Sequence, residues 1–271
     1  MTTLRRTLNQ TRAWGRALGL WPRFSAKMPR DALQTFADFT RFKAARRGEE
    51  ASIPLALDYP CLLDRHDAAG RASGHYFHQD LLVARRIFEQ QPRWHIDVGS
   101  RIDGFVAHVA CFREIEVIDI RPPSAAIPNV TFRQMDITNP DHCRLGAADS
   151  VSCLHALEHF GLGRFGDPID PLGYQKGLDG LVNLLEPGGV LYLSVPIGRE
   201  RIEFNAHRVF SMRRLLQLLK HLELCRFSYV DDLGALHSVQ DAEQLPLDTL
   251  DSLHFGLGIF ELKKPNRPSK T

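Results

Sequence analysis

The residues best suited to chemistry stand between positions 95 and 208. The run His95-Ile-Asp-Val-Gly-Ser-Arg-Ile-Asp-Gly-Phe105 carries an apolar stretch that ends around Asp97. Gly99 and Ser100 follow at once, and Gly104 stands near the start of the next helical segment. Glycine lets a ligand approach the backbone, and a helix start offers unpaired N–H groups to a carboxylate. Asp97 and Asp103 make this turn negative, which suits a cationic ligand and repels a pyrophosphate. Asp119 then closes the run Glu116–Ile120, about 20 positions further on, where a carboxylate can accept from both hydroxyls of a ribose. Asp136 follows the run Val130–Phe132 and is suited to a purine amino group, with Ile137 against the ring.

These residues need elements to position them. Seven short apolar runs alternate with helical or irregular stretches: Trp94–Val98, Glu116–Ile120, Val130–Phe132, Ser150–Leu154, Val190–Val195, Leu222–Val230 and His254–Leu262. Such alternation predicts a Rossmann-like α/β fold, a mostly parallel seven-stranded sheet with helices on both faces. Residues 1–90 read as a helical extension and possible lid, 91–263 as the ligand-binding domain, and 264–271 as a loose tail. Helices are expected over 31–48, where Phe36, Phe39 and Phe42 form a stripe that reads as core, and from about Gln79 to Glu89.

The composition is that of a globular protein, 44% hydrophobic and 24% charged, with no run of apolar residues long enough for a membrane span and no secretory signal pattern. Five scattered cysteines (Cys61, Cys111, Cys143, Cys153, Cys225) form no metal or disulfide spacing and imply a reducing, cytoplasmic setting. Seven of the 34 basic residues lie in the first 30 with no acidic residue among them, leaving 27 basic against 32 acidic in the remainder. The body is therefore not a nucleic-acid surface. The arm, with Leu4, Leu8, Trp14, Leu18 and Trp21 opposite Arg5, Arg6, Arg12 and Arg16, reads as an amphipathic helix over residues 1–22. It either packs on its own domain or a partner subunit, or lies peripherally on an anionic membrane face.

Two further motifs complete the pattern: Asp149-Ser-Val-Ser-Cys-Leu-His-Ala-Leu-Glu-His159 and Leu185-Glu-Pro-Gly-Gly-Val-Leu-Tyr-Leu-Ser-Val-Pro196. With Asp97-x-Gly99 and Asp119 they resemble, in this order, the class I S-adenosylmethionine (SAM)-dependent methyltransferases over about residues 93–263. That resemblance implies SAM as cofactor, held by Asp97, Gly99, Ser100, Gly104, Asp119, Asp136, Ile137 and His155. The sequence departs from the family in its first turn, where Arg101 and Asp103 intervene and Gly104 comes one step late, so the loop there must differ in shape. More narrowly, His155–Asp170 and Phe204-Asn-Ala-His-Arg208 resemble a family catalogued only as a domain of unknown function. Some of its members belong to bacterial surface-polysaccharide gene sets, which implies a saccharide hydroxyl as acceptor.

The acceptor is expected beyond the C-terminal strand ends. Arg164 and Asp167 in the segment 160–174, Asn205 and Arg208 in 197–210, and Tyr76 and His78 in a possible lid at His75–Asp80 are the substrate-binding candidates. Glu158, His159 and His207 are candidates for removing the hydroxyl proton, a histidine being favoured because it titrates near neutrality. His155-Ala-Leu-Glu-His159 also fits the H-x-x-E-H zinc pattern. It follows a strand directly, however, and Gly161 and Gly163 break any helix, so no metal is expected. A nicotinamide-dependent oxidoreductase and a degenerate, non-catalytic binding fold are the alternatives.

Overall fold

A computed structural model of the chain describes residues 28–62, 65–66, 68–70, 72–140, 146–239 and 245–266. The amphipathic arm at 1–22, Cys143 and residues 267–271 of the expected tail lie outside them. The chain divides into two compact units, Met1–Arg71 and Ala72–Thr271.

The first unit contains helices α1 (Met28–Ala45) and α2 (Glu49–Ser52). Asp31 is buried and bonded to His66 Nε2 at 3.1 Å, and Arg65 donates to Asp38 at 2.9 Å, tying the following segment back to α1. The expected phenylalanine core is not found: Phe36 and Phe42 are exposed. Among the described residues of this unit no apolar side chain is buried.

The second unit is built on one sheet. Its strands are β1 (His95–Val98), β2 (Ile115–Asp119), β3 (Val130–Gln134), β4 (Ala148–Leu154), β5 (Leu185–Ile197), β8 (Glu223–Val230), β9 (Leu236–Val239) and β10 (Gly256–Lys263). They lie in the order β3-β2-β1-β4-β5-β10-β8-β9. Strands β1 to β5 are mutually parallel, and β10 runs antiparallel between β5 and β8. This is a Rossmann-like α/β architecture, a large and mostly parallel sheet with helices on both faces. All seven expected runs are strands of this sheet, and β9 adds an eighth, pairing with β8 as a hairpin. The eighth is short and half exposed, which left little periodic signal.

Two cores cover the two faces. On one, Leu178, Leu181 and Leu184 of helix α5 (Gly173–Leu184) and Met212 and Leu215 of α6 (Met212–Leu218) pack on Ile96, Val151 and Leu193. Leu250 of α7 (Leu247–Ser252) joins them. On the other, Val83, Ala84 and Ile87 of α3 (His75–Gln90) meet Phe105, Val109, Ile115 and Val117. Helix α3 therefore belongs to the sheet unit, although the sequence suggests a boundary near residue 90. Three of its apolar residues are buried in that unit's core. The anticipated lid His75–Asp80 is its first turns, so it is helix rather than loop. Among the described residues no helix is long and apolar enough to cross a membrane.

Candidate functional site

Strand order reverses between β1 and β4, and in open parallel sheets ligands bind in the crevice at such a switch, beyond the strand C-termini. A cavity of about 940 Å³ opens there, lined by residues that follow β1, β2, β3 and β4.

After β1, Gly99 lines the cavity with φ of +73°, and a Cβ on it would stand 3.0 Å from the Ala156 Cβ. Glycine is required both for that backbone conformation and for the closeness of β4's end. Asp97 and Ser100 are not on the wall but beneath it. The Asp97 carboxylate accepts from the Ser100 backbone N–H at 3.1 Å, from its hydroxyl at 2.6 Å and from Ser152 at 2.6 Å. Burial pushes Asp97 up to about 6, the three hydrogen bonds offsetting part of the effect. Ser152 also bonds the buried His95, and Ser100 Oγ accepts from the Leu154 N–H at 3.0 Å. Asp97 and Ser100 thus hold the shape of the turn from beneath the cavity wall.

The unusual residues of the turn have their own places. Arg101 and Asp103 form a two-pronged ion pair on the surface, at 2.9 and 2.7 Å, so Asp103 adds no unpaired negative charge to the cavity. Residues Ile102–Val106 form a π-type turn before the single helical turn α4 (Ala107–Ala110). Gly104 interrupts the π-type turn with non-helical angles (φ −127°, ψ −107°). A Cβ there would meet Asp80 Oδ2 of α3 at 2.6 Å. Gly104 is therefore needed for helix packing, and it does not line the cavity.

Asp119, Asp136 and Ile137 do line it. Asp119 stands at the end of β2, its two oxygens accepting from the Arg121 guanidinium at 3.1 and 2.9 Å. Arg121 lies over the Phe165 ring, 4.0 Å from its centre, closing that side of the cavity. Asp136 follows β3 and accepts from the backbone and hydroxyl of Thr138. Ile137 is buried against α5, where Gly180 lets it approach.

The end of β4 carries the densest chemistry. His155 has φ of +56°, a costly conformation for a non-glycine residue, held by its N–H donating to the backbone and side chain of Ser194 on β5. A short 3₁₀ turn, Leu157–His159, then brings Glu158 and His159 back toward His155. His155 Nδ1 contacts Glu158 Oε1, and His155 Nε2 lies 3.0 Å from His75 Nδ1. His75 Nε2 donates to the Phe255 carbonyl at 3.1 Å, and His159 Nδ1 to the Ala206 carbonyl at 2.6 Å. Glu158 is fully buried; burial pushes its carboxyl up, but the adjoining His155 and His159 outweigh this and hold it below the usual range. Burial, with the adjoining His155 ring, depresses His75 to about 4. Burial also lowers His159 and His207, Glu158 opposing it in both.

Tyr76 lines the cavity, stacked on His155 at 4.9 Å, and Arg164 lines it while donating to the Ala206 carbonyl at 3.0 Å. His207 lines it beside Phe255 and begins β7 (His207–Val209), which pairs with β6 (Arg201–Glu203) in a hairpin. Asp167 reaches the wall, but its carboxylate holds the loop by accepting from the N–H groups of Gly161, Gly163 and Phe165. Three expected substrate contacts are absent from the wall. His78 is committed to the Gly234 carbonyl, Asn205 sits exposed at the hairpin turn, and Arg208 is buried, donating to the carbonyls of Glu158 and Phe160. Arg208 is thus a brace for the histidine turn. Sequence reasoning missed His75, Arg121, Phe165 and Phe255, which the fold brings to the cavity from separate segments.

Residues 130–244 match the family described as Caenorhabditis protein of unknown function, DUF268. Among curated proteins, none matches the chain in sequence. In structure, the chain is similar to the 1,6-didemethyltoxoflavin-N1-methyltransferase of Burkholderia thailandensis, solved with 1,6-didemethyltoxoflavin and S-adenosylhomocysteine. Identity is 15%, over 90% of this chain and 93% of that chain, with a TM-score of 0.49. It is also similar to the N-methyltransferase NodS of Bradyrhizobium japonicum WM9, solved with S-adenosylhomocysteine (13% identity, 85% of this chain and 98% of that chain, TM-score 0.48). A third likeness is the [4+2]-cyclase SpnF (17% identity, 73% of this chain and 86% of that chain, TM-score 0.49).

Proposed function

We propose that the chain is a SAM-dependent methyltransferase acting on a hydroxyl group. The observation that carries this reading is the convergence of Gly99, Asp119, Asp136 and Ile137 on one cavity wall, with His155, His159 and His207 on the adjoining wall. The first set fits the cofactor. Asp119 is suited to the ribose hydroxyls, Asp136 to the adenine amino group, Ile137 to the ring face, and the Gly99 cradle to close backbone approach. Bound there, SAM supplies an electrophilic methyl group.

The chain's own residues do the rest. Methyl transfer is an in-line displacement, so most of the acceleration comes from alignment. Tyr76 stacked on His155, with Phe255 beside His75, forms an aromatic wall along the adjoining space. His207 is the proposed base for the acceptor proton: burial lowers its pKa, so its ring is largely neutral at pH 7 and can accept. Arg164, bonded to a carbonyl, suits an acceptor with an anionic part. A saccharide of the surface-polysaccharide class is the acceptor that the family resemblance suggests.

A second reading, a fold that binds without transferring, has one observation in its favour: Arg121 already bonds both oxygens of Asp119. Calorimetry with SAM and with NAD, followed by transfer of radiolabelled methyl to a panel of acidic and neutral sugars, tests both. Binding of SAM with methyl transfer supports the first reading. SAM binding without transfer supports the second, and NAD binding alone defeats both.

A further inference from the structure

We infer that His155, Glu158 and His159 bind a divalent metal ion of the zinc type, with an open coordination position facing the cavity. One ligand atom from each residue lies within 4.8 Å of the other two. The sequence argues against this site because no helix can present both histidines on one face. The structure removes that objection, since the positive φ of His155 and the 3₁₀ turn after it bring the groups together.

The hydrogen-bond roles around the cluster carry the inference. His159 Nδ1 stands 2.6 Å from the Ala206 carbonyl, which only accepts, and this shorter contact outweighs the Arg164 guanidinium at 3.4 Å, so the proton of a neutral ring is on Nδ1 and a lone pair is left on Nε2. That Nε2 lies 3.5 Å from Glu158 Oε1. His75 Nε2 likewise faces the Phe255 carbonyl, so a neutral His75 accepts at Nδ1, and His155 must donate to it from Nε2. His155 then turns its own lone pair, on Nδ1, toward the same Glu158 oxygen.

Two imidazole lone pairs and a carboxylate thus converge with no donor among them. A cation belongs between them. A single proton shared by His155 and Glu158 leaves the lone pair of His159 unserved, and it leaves Glu158 Oε2, which is buried without any hydrogen-bond partner. A metal ion serves all three residues at once. Two histidines and one glutamate are a known catalytic zinc set, which keeps a further position open. The fixed partners on the far ring nitrogens, His75 and the Ala206 carbonyl, are what orient metal-binding histidines. Both histidines line the cavity, so the open position faces it. There the ion would bind an acceptor hydroxyl and make it more acidic; this role, unlike the binding itself, rests on the methyl-transfer reading.

The test needs neither SAM nor acceptor, so its outcome is separate from that reading. The full chain is freed of metal with a chelator and titrated with Zn²⁺ against a fluorescent competitor, and with Co²⁺ followed by its visible absorption. One equivalent of zinc per chain and a cobalt band of a low-coordinate N/O site are expected. Glu158→Gln and His159→Ala should each weaken zinc binding by at least about tenfold, and His75→Ala by about 10–100-fold through loss of the outer partner. His237→Ala, on the β8–β9 hairpin, should leave it unchanged. Circular dichroism shows whether each variant is folded, and Glu158→Gln keeps the side chain's shape. Absence of stoichiometric binding, or binding unaltered in folded Glu158→Gln and His159→Ala proteins, overturns the inference.

Discussion

Replacing Asp97 with Asn tests whether the first turn is shaped by a buried carboxylate or by a ligand-facing one. Asp97 is fully buried, and folding raises its pKa to about 6. The ordinary aspartate value is about 3.9, so this rise corresponds to about 3 kcal/mol. A carboxyl whose pKa is raised by folding holds its proton more tightly in the folded chain than in the unfolded one. Its contribution to stability is therefore greatest below about pH 4, falls as pH rises to about 6, and is level above that. Asparagine does not titrate and keeps only one of the two acceptor oxygens, so the variant shifts by a constant amount for lost hydrogen bonds. What should change with pH is the difference between the two proteins. Wild type minus Asp97→Asn, measured by denaturant unfolding at stepped pH, should drop by about 2 kcal/mol between pH 4 and 7, the rest of the change lying below pH 4. Fluorescence of Trp94, adjacent to β1, reports the transition. A difference that stays constant refutes the raised pKa. One that grows with pH shows that the bonds from Ser100 and Ser152 outweigh burial.

Asp119→Ala should weaken SAM binding by about 10–100-fold, the size of one or two charge-assisted hydrogen bonds; unchanged affinity by calorimetry removes Asp119 from the ribose role. His207→Ala should cut turnover by about 10²–10⁴-fold while sparing SAM affinity, and full activity would clear it as the base. Because burial sets His207 below its ordinary value of 6.5, the wild-type rate should rise with pH below that value and be level by neutrality. A rate still climbing at pH 8 contradicts this. Gly161→Ala should lower stability by at least about 1–2 kcal/mol for its left-handed backbone alone. Its φ is +78°, and a Cβ would stand 1.9 Å from the Asp170 carbonyl oxygen, so an unshifted melting temperature would show that the 160–174 loop can rearrange.

The strands were readable because buried parallel strands are short apolar runs whatever surrounds them. β1 and β2 show it, with every residue but Asp119 buried. β9 was not, since a half-exposed hairpin strand of four residues leaves no such run. The cavity's acids were half readable. Asp119 and Asp136 follow strands directly, so sequence position places them at the crevice. Asp97 stands at a matching position, but its direction depends on Ser152, a residue 55 positions away on β4. Arg208 looks like a ligand for an anionic substrate, and only packing shows it buried beneath the histidine turn.

The sequence by itself determined the layered α/β fold, the crevice at the ends of β1 to β4, and the residue types there. These follow from local periodicity and from glycine at one turn. Only the tertiary structure decided which polar groups face the cavity and which hold it up. It also brought His75 to His155, 80 positions apart, and turned His155, Glu158 and His159 toward one another. The physical reason is that a hydrogen bond joins groups by direction and distance, and neither is written in the spacing of residues along the chain.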